Sequence, residues 1–263
     1  MNAIDKKLQE IEEQNRLWLM THWVWGYPSL QESQLMIETM DRAGVDFIEI
    51  QIPFSDPVAD GPIITSACQQ SLENWTSVQS CFELMSTVSK KVNCAMLFMA
   101  YLNTIYTIWL RDFCKNASDA WASWLIIPDF PLHYEARLPL AQTAKEFNLK
   151  LIKVFSPLSE NDYVSKHTTK DDGFIYFTSR QWTTGTGTNF DSNVFTKTRA
   201  LASITWLPVA VWFWIKSDAD IQLLKKNETS IGIIWSKLIE VYRESWIAWV
   251  DLFLQNILLS SKK

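Results

Sequence analysis

"DFIEIQIPFSDPVADGP", residues 46–62, decides how this chain is read. Its first seven residues form an apolar run in which Ile48, Ile50 and Ile52 share one face of an extended strand. Phe47, Glu49 and Gln51 share the other. In a barrel the isoleucine face packs on helices, which turns Glu49 inward near the C-terminal end of its strand. A carboxylate there is costly unless it is paired, protonated or used. Burial suits it to proton transfer near neutrality. The alternative is a Glu hydrogen-bonded to its neighbours with no chemical role. The turn that follows is stiffened by Pro53, Pro57 and Pro62. Asp56 reads there as a turn cap. Asp60, on the loop just past the strand, pairs with Glu49 as a second carboxylate for acid/base work.

Seven further apolar runs share this style, around residues 19–25, 95–101, 123–128, 149–155, 173–179, 207–213 and 230–235. Helical patterns separate them, among them 29–44, 104–117 and 133–148, with a last one over 237–259 that divides into one or two pieces. Strands alternating with helices form parallel βαβ units. Eight units predict a (β/α)₈ barrel, and an open doubly wound sheet is the alternative. No GxGxxG follows the first strand, which argues against a dinucleotide version. No linker divides residues 1–263, so the expectation is one barrel domain with an extra N-terminal helix across its bottom.

Two more segments could touch a ligand. "TSRQWTTGTGTNF", 178–190, reads either as a loop that closes over a substrate or as plain surface. "VAVWFWIKS" and "IGIIWSK" end the seventh and eighth strands, where barrels often hold a phosphate on backbone N–H groups and a helix start. Ser236 adds a hydroxyl there. Trp214 and Trp235, as written, fill that place with bulk.

Composition excludes several classes. The 263 residues are 48% hydrophobic and 20% charged, with net charge −5 and no basic stripe, so nucleic acid is not an expected partner. Cys68, Cys81, Cys94 and Cys114 form no CxxC, and His22, His133 and His167 form no HExxH, so no metal site is expected. The first sixteen residues lack the apolar core of a signal peptide. The longest apolar run, near 206–215, is too short to cross a bilayer. A cytoplasmic protein is the expectation.

"FIEIQIPFSDPVADGP" closely resembles the signature run of the tryptophan synthase α subunit. The similarity continues through "GYPSL", "YLNTIY", "LIIPDFPL", "GFIYFTS", "TTGT" and "LPVAVWFWIKS" along almost the whole chain. The resemblance implies a (β/α)₈ lyase that cleaves indole-3-glycerol phosphate to indole and glyceraldehyde 3-phosphate. Glu49 would be the general acid/base and Asp60 the carboxylate that holds the indole N–H. Tyr176, Thr184 and Phe213 would contact substrate. Gly185, Trp214, Trp235 and Ser236 would fall on phosphate-binding positions. No cofactor is implied for this subunit. The implied partner is a β subunit carrying pyridoxal phosphate, in an α2β2 assembly. "PFSDP" and "YLNTIY" lie in regions that would face it.

Gln51 and Ala100 stand where the family commonly has glycine and Thr104 where it has proline, but one residue type dominates the departures. The chain holds 14 Trp and only 7 Gly, although glycine ordinarily supplies about 7% of residues. The family has glycine where this chain has Trp75, Trp109, Trp121, Trp124, Trp182, Trp212, Trp214 and Trp235, and Trp18 and Trp246 belong to the same set. Random decay would scatter many residue types over those places. A codon such as UGA, whose meaning differs between genetic codes, would substitute one type throughout. A genuinely Trp-rich, binding-only barrel is the competing reading. Trp23, Trp25, Trp206 and Trp249 are not placed by the resemblance.

Overall fold

The computed structural model describes residues 3–14, 16–178, 193–213 and 215–262. In chain order its elements are α1 (Ala3–Gln14), β1 (Trp18–Val24), α2 (Leu30–Ala43), β2 (Phe47–Gln51), α3 (Pro62–Glu73), α4 (Val78–Val88), β3 (Ala95–Met99), α5 (Leu102–Ile108) and α6 (Leu110–Asp119). They continue with β4 (Trp124–Ile126), α7 (Leu140–Glu146), β5 (Lys150–Phe155), α8 (Asn161–His167), β6 (Ile175–Thr178), α9 (Asn193–Thr205), β7 (Val209–Phe213), α10 (Asp218–Lys226), β8 (Ile231–Ile234) and α11 (Lys237–Lys262). The strands close in sequence order into an eight-stranded parallel barrel, β8 pairing back onto β1 through Trp18 and Ile231. Each strand but β1, which starts one residue early at Trp18, falls within an apolar run that the sequence marks.

Period-2 alternation sets what enters the barrel. At the N-terminal end the inward residues form an aromatic layer. Phe47 packs on Trp18 and Phe174, and Trp124 stacks on Phe174 with ring centres 5.4 Å apart. Arg16 lies over the Trp18 ring at 3.7 Å and forks onto Asp46 at 3.0 and 2.5 Å. Lys7 of α1 also approaches that ring, which places the N-terminal helix at this end. One layer up, toward the C-terminal ends, the inward residues are polar: His22, Glu49 and Tyr176, all buried.

Two spans expected as single helices, 104–117 and 133–148, are broken, and the last helix takes its two-piece form. Residues 104–117 divide into α5 and α6 at Trp109, whose φ and ψ are 70° and 130°. α11 kinks at Trp246, with φ 63° and ψ −178°. The span 133–148 is a 3₁₀ turn at Leu132–Tyr134 followed by α7, separated by Pro139.

Candidate active site

A cavity of about 590 Å³ opens at the C-terminal ends of the strands, lined in part by Glu49, Ile126, Phe130, Tyr176, Trp212 and Trp235. Glu49 stands in β2 beside His22 of β1 and Leu97 of β3 in the ladder. Its side chain is fully buried. The Tyr176 hydroxyl donates to its Oε2 at 3.2 Å, and Oε1 has no hydrogen-bond partner. Burial, and then the facing carboxylate of Glu49, push the Tyr176 hydroxyl well above its ordinary range, so it stays a donor.

Asp60 lies just behind, 7% exposed. The Gln51 amide and the Tyr101 hydroxyl each donate to its Oδ2 at 2.8 Å, and Oδ1 has no partner. Tyr101 in turn accepts the backbone N–H of Ala59 at 3.0 Å, which ties the loop after β2 to the end of β3. Burial raises the Asp60 pKa, while the nearby His22 and the two donors hold it down. The two carboxyl groups are thus built alike. In each, one oxygen accepts from side-chain hydroxyl or amide donors and the other is buried without a hydrogen-bond partner.

The adjoining wall, on β8 and β1, is different. His22 is fully buried, and its ring stacks on Trp235 with centres 3.7 Å apart. Its Nδ1 is 3.8 Å from Glu49 Oε1, too far for a hydrogen bond, and neither ring nitrogen has a partner. Trp212 packs on Trp235 at 4.7 Å. Ser236 is buried at the start of α11, and its hydroxyl donates to Glu240 at 3.4 Å.

The structure therefore brings Glu49, Asp60, Tyr176 and Trp235 together, with Ser236 next in the chain. Phe213 does not join them. Strand alternation turns it outward, and its ring stacks on Phe195 of α9. Thr184, Gly185 and Trp214 lie outside the described residues. The sequence did not point to Tyr101 or His22 as site residues, and Gln51 stood out only as sharing the face of Glu49 and as a departure from a family glycine. Their signal is positional: His22 is an inward residue of β1, Gln51 shares the face of Glu49, and Tyr101 ends the β3 run. No cluster of metal-ligating side chains occurs among the described residues.

The family model described as tryptophan synthase alpha chain matches residues 8–247. The chain belongs to the tryptophan synthase alpha chain family. The tryptophan synthase alpha chain of Desulforapulum autotrophicum is 33% identical over 254 residues, covering 97% of this chain and 99% of its own. That of Desulfotalea psychrophila is 35% identical over 243 residues, covering 92% and 94%. Among solved structures, tryptophan synthase from Mycobacterium tuberculosis superposes with a TM-score of 0.88 at 19% identity, covering 100% of this chain and 99% of that one. The alpha chain from Legionella pneumophila superposes with a TM-score of 0.85 at 20% identity, covering 99% and 97%. These superpositions share the closed barrel. No helix among the described residues is long and apolar enough to cross a membrane.

Proposed function

We propose that this barrel is the lyase subunit of a tryptophan synthase and that it cleaves indole-3-glycerol phosphate at the Glu49 cavity. The observation that carries the reading is Glu49 itself: fully buried, oriented by Tyr176, with one oxygen unpartnered, on the wall of the cavity. In the retro-aldol step a proton is added at indole C3 and one is removed from the adjacent glycerol hydroxyl. The C–C bond between them then breaks, giving indole and the aldehyde. No oxidant or reductant is needed. Glu49 is the group that moves these protons. Asp60 accepts the indole N–H on Oδ1 and stabilises the positive charge that the protonated ring carries. Gln51 and Tyr101 keep Asp60 aimed. The phosphate is assigned to Ser236 and the backbone at 235, beside the start of α11, and, by the resemblance alone, to Gly185 and Trp214. Thr184 and Tyr176 contact the substrate.

The partner is a β subunit that holds pyridoxal phosphate and receives the indole, in an α2β2 assembly in the cytoplasm. Support comes from the loop after β2, where Ser55 and Asp56 are exposed and Val58 is 66% exposed, and from exposed Tyr106 in α5. The test is release of glyceraldehyde 3-phosphate from indole-3-glycerol phosphate by the chain and by E49Q, with and without a β subunit. Equal rates from the two proteins would overturn the assignment of Glu49.

A further inference from the structure

Seven non-glycine residues among those described have positive φ, and five of them are tryptophan: Trp75 (61°), Trp109 (70°), Trp121 (68°), Trp206 (59°) and Trp246 (63°). Tryptophan is only 14 of 263 residues, so chance does not place it there. Positive φ is glycine's region, since any Cβ is crowded in it. The surroundings repeat a glycine motif. Gly44 ends α2 with its own N–H on Asp41 O and the next N–H on Met40 O. Trp75 and Trp121 make the same pair of bonds, Trp75 N–H to Leu72 O with Thr76 N–H to Ser71 O, and Trp121 N–H to Ser118 O with Ala122 N–H to Ala117 O. Trp246, at ψ −178°, occupies a region that is essentially glycine's alone.

These five side chains are mostly in solvent, and among them Trp246 makes one edge contact, with Tyr242 at 5.9 Å. They are 91%, 75%, 68%, 81% and 70% exposed in chain order. The interior gives a second, separate observation. Of the buried tryptophans, Trp23 donates its indole N–H to Tyr27 O, but the N–H groups of Trp18, Trp25, Trp124 and Trp235 have no partner. Buried indoles ordinarily find one.

We propose that the polypeptide made in its source cell carries glycine at positions 75, 109, 121, 206 and 246, and also at 235, whose buried indole N–H has no partner, and at 212, whose ring packs against it at 4.7 Å, through one codon read there as glycine. Removing the Trp212 and Trp235 rings opens the β7–β8 end of the cavity and bares the backbone ahead of α11. That last consequence rests on the proposed lyase reading, whereas the backbone assignment does not.

The test is tandem mass spectrometry of the protein purified from its own cells. Tryptic peptides 92–111, 116–137, 200–216, 227–237 and 244–262 report positions 109, 121, 206 with 212, 235 and 246. Glycine at these positions is the expected result. Tryptophan at them overturns the proposal. Lyase assay of the same material reads the function separately: glycine without activity defeats the lyase assignment alone, and tryptophan with activity defeats the decoding alone. A second measurement uses the chain as written. Trp75→Gly and Trp121→Gly should each melt higher than Trp75→Ala and Trp121→Ala, because alanine removes the indole but keeps the crowded Cβ. Equal melting temperatures would overturn the backbone argument.

Discussion

On the β2, β3 and β6 side of the barrel mouth, Tyr176, Gln51 and Tyr101 each donate to a carboxylate oxygen and leave its twin free. On the adjoining strands β1, β7 and β8, the polar atoms are stranded. Both His22 nitrogens and the Trp235 indole N–H are buried without partners, and Trp212 is packed on top. The first wall is a proton-transfer site with its supports in place. The second has the backbone frame of an anion site, a strand end leading into a helix, occupied by rings. Leaving a buried donor unpaired costs about 1–3 kcal/mol, so the second wall is not a stable alternative design.

Removing the working group of the first wall gives the largest expected effect. Glu49→Gln should lower kcat by about 10²–10⁴-fold, the range for a lost acid/base, while the melting temperature holds. A small loss in steady-state assays would break the contrast between the walls. The second wall is tested by the double variant Trp212→Gly with Trp235→Gly in the chain as written. Hydrogen bonds to a charged group contribute about 1.5–3 kcal/mol each, so kcat/KM should rise about 10–100-fold, mostly through KM. An unchanged KM would mean that the rings do not block the phosphate.

Tyr101→Phe leaves Asp60 held by Gln51 alone. Loss of one charge-assisted bond of about 1.5 kcal/mol predicts roughly a tenfold fall in kcat/KM, with Glu49 chemistry otherwise intact. The smallest effect is in pH dependence. Burial raises the Asp60 pKa above the ordinary 3.8, and the reaction needs its carboxylate form. The acid limb of kcat/KM should therefore lie at higher pH than for an ordinary aspartate. The same shift has a sign for stability: the contribution of Asp60 is fully present below 3.8 and is lost as pH rises through its raised folded-state value. Asp60→Asn should accordingly gain stability relative to the parent as pH rises, read by denaturant titration at several pH values.

The face of β2 that carries Glu49 was legible because alternation is a local property: two residues apart means one side of a strand. The eight strands were legible for the same reason. The partners of the site were not. Tyr176 is 127 residues from Glu49 and Tyr101 is 41 from Asp60, and no local pattern encodes a contact made only when a barrel closes. Phe213 shows the limit from the other side, since a resemblance placed it on substrate while the strand's own alternation turns it to Phe195. By itself, the sequence determined the barrel class, the inward carboxylate, and a surplus of tryptophan where the family keeps glycine. Only the tertiary structure decided which tryptophans stand in glycine's backbone. Trp206, which no resemblance placed, follows α9 at φ 59°, the left-handed turn with which many helices stop and which the packing of the chain beyond the helix selects.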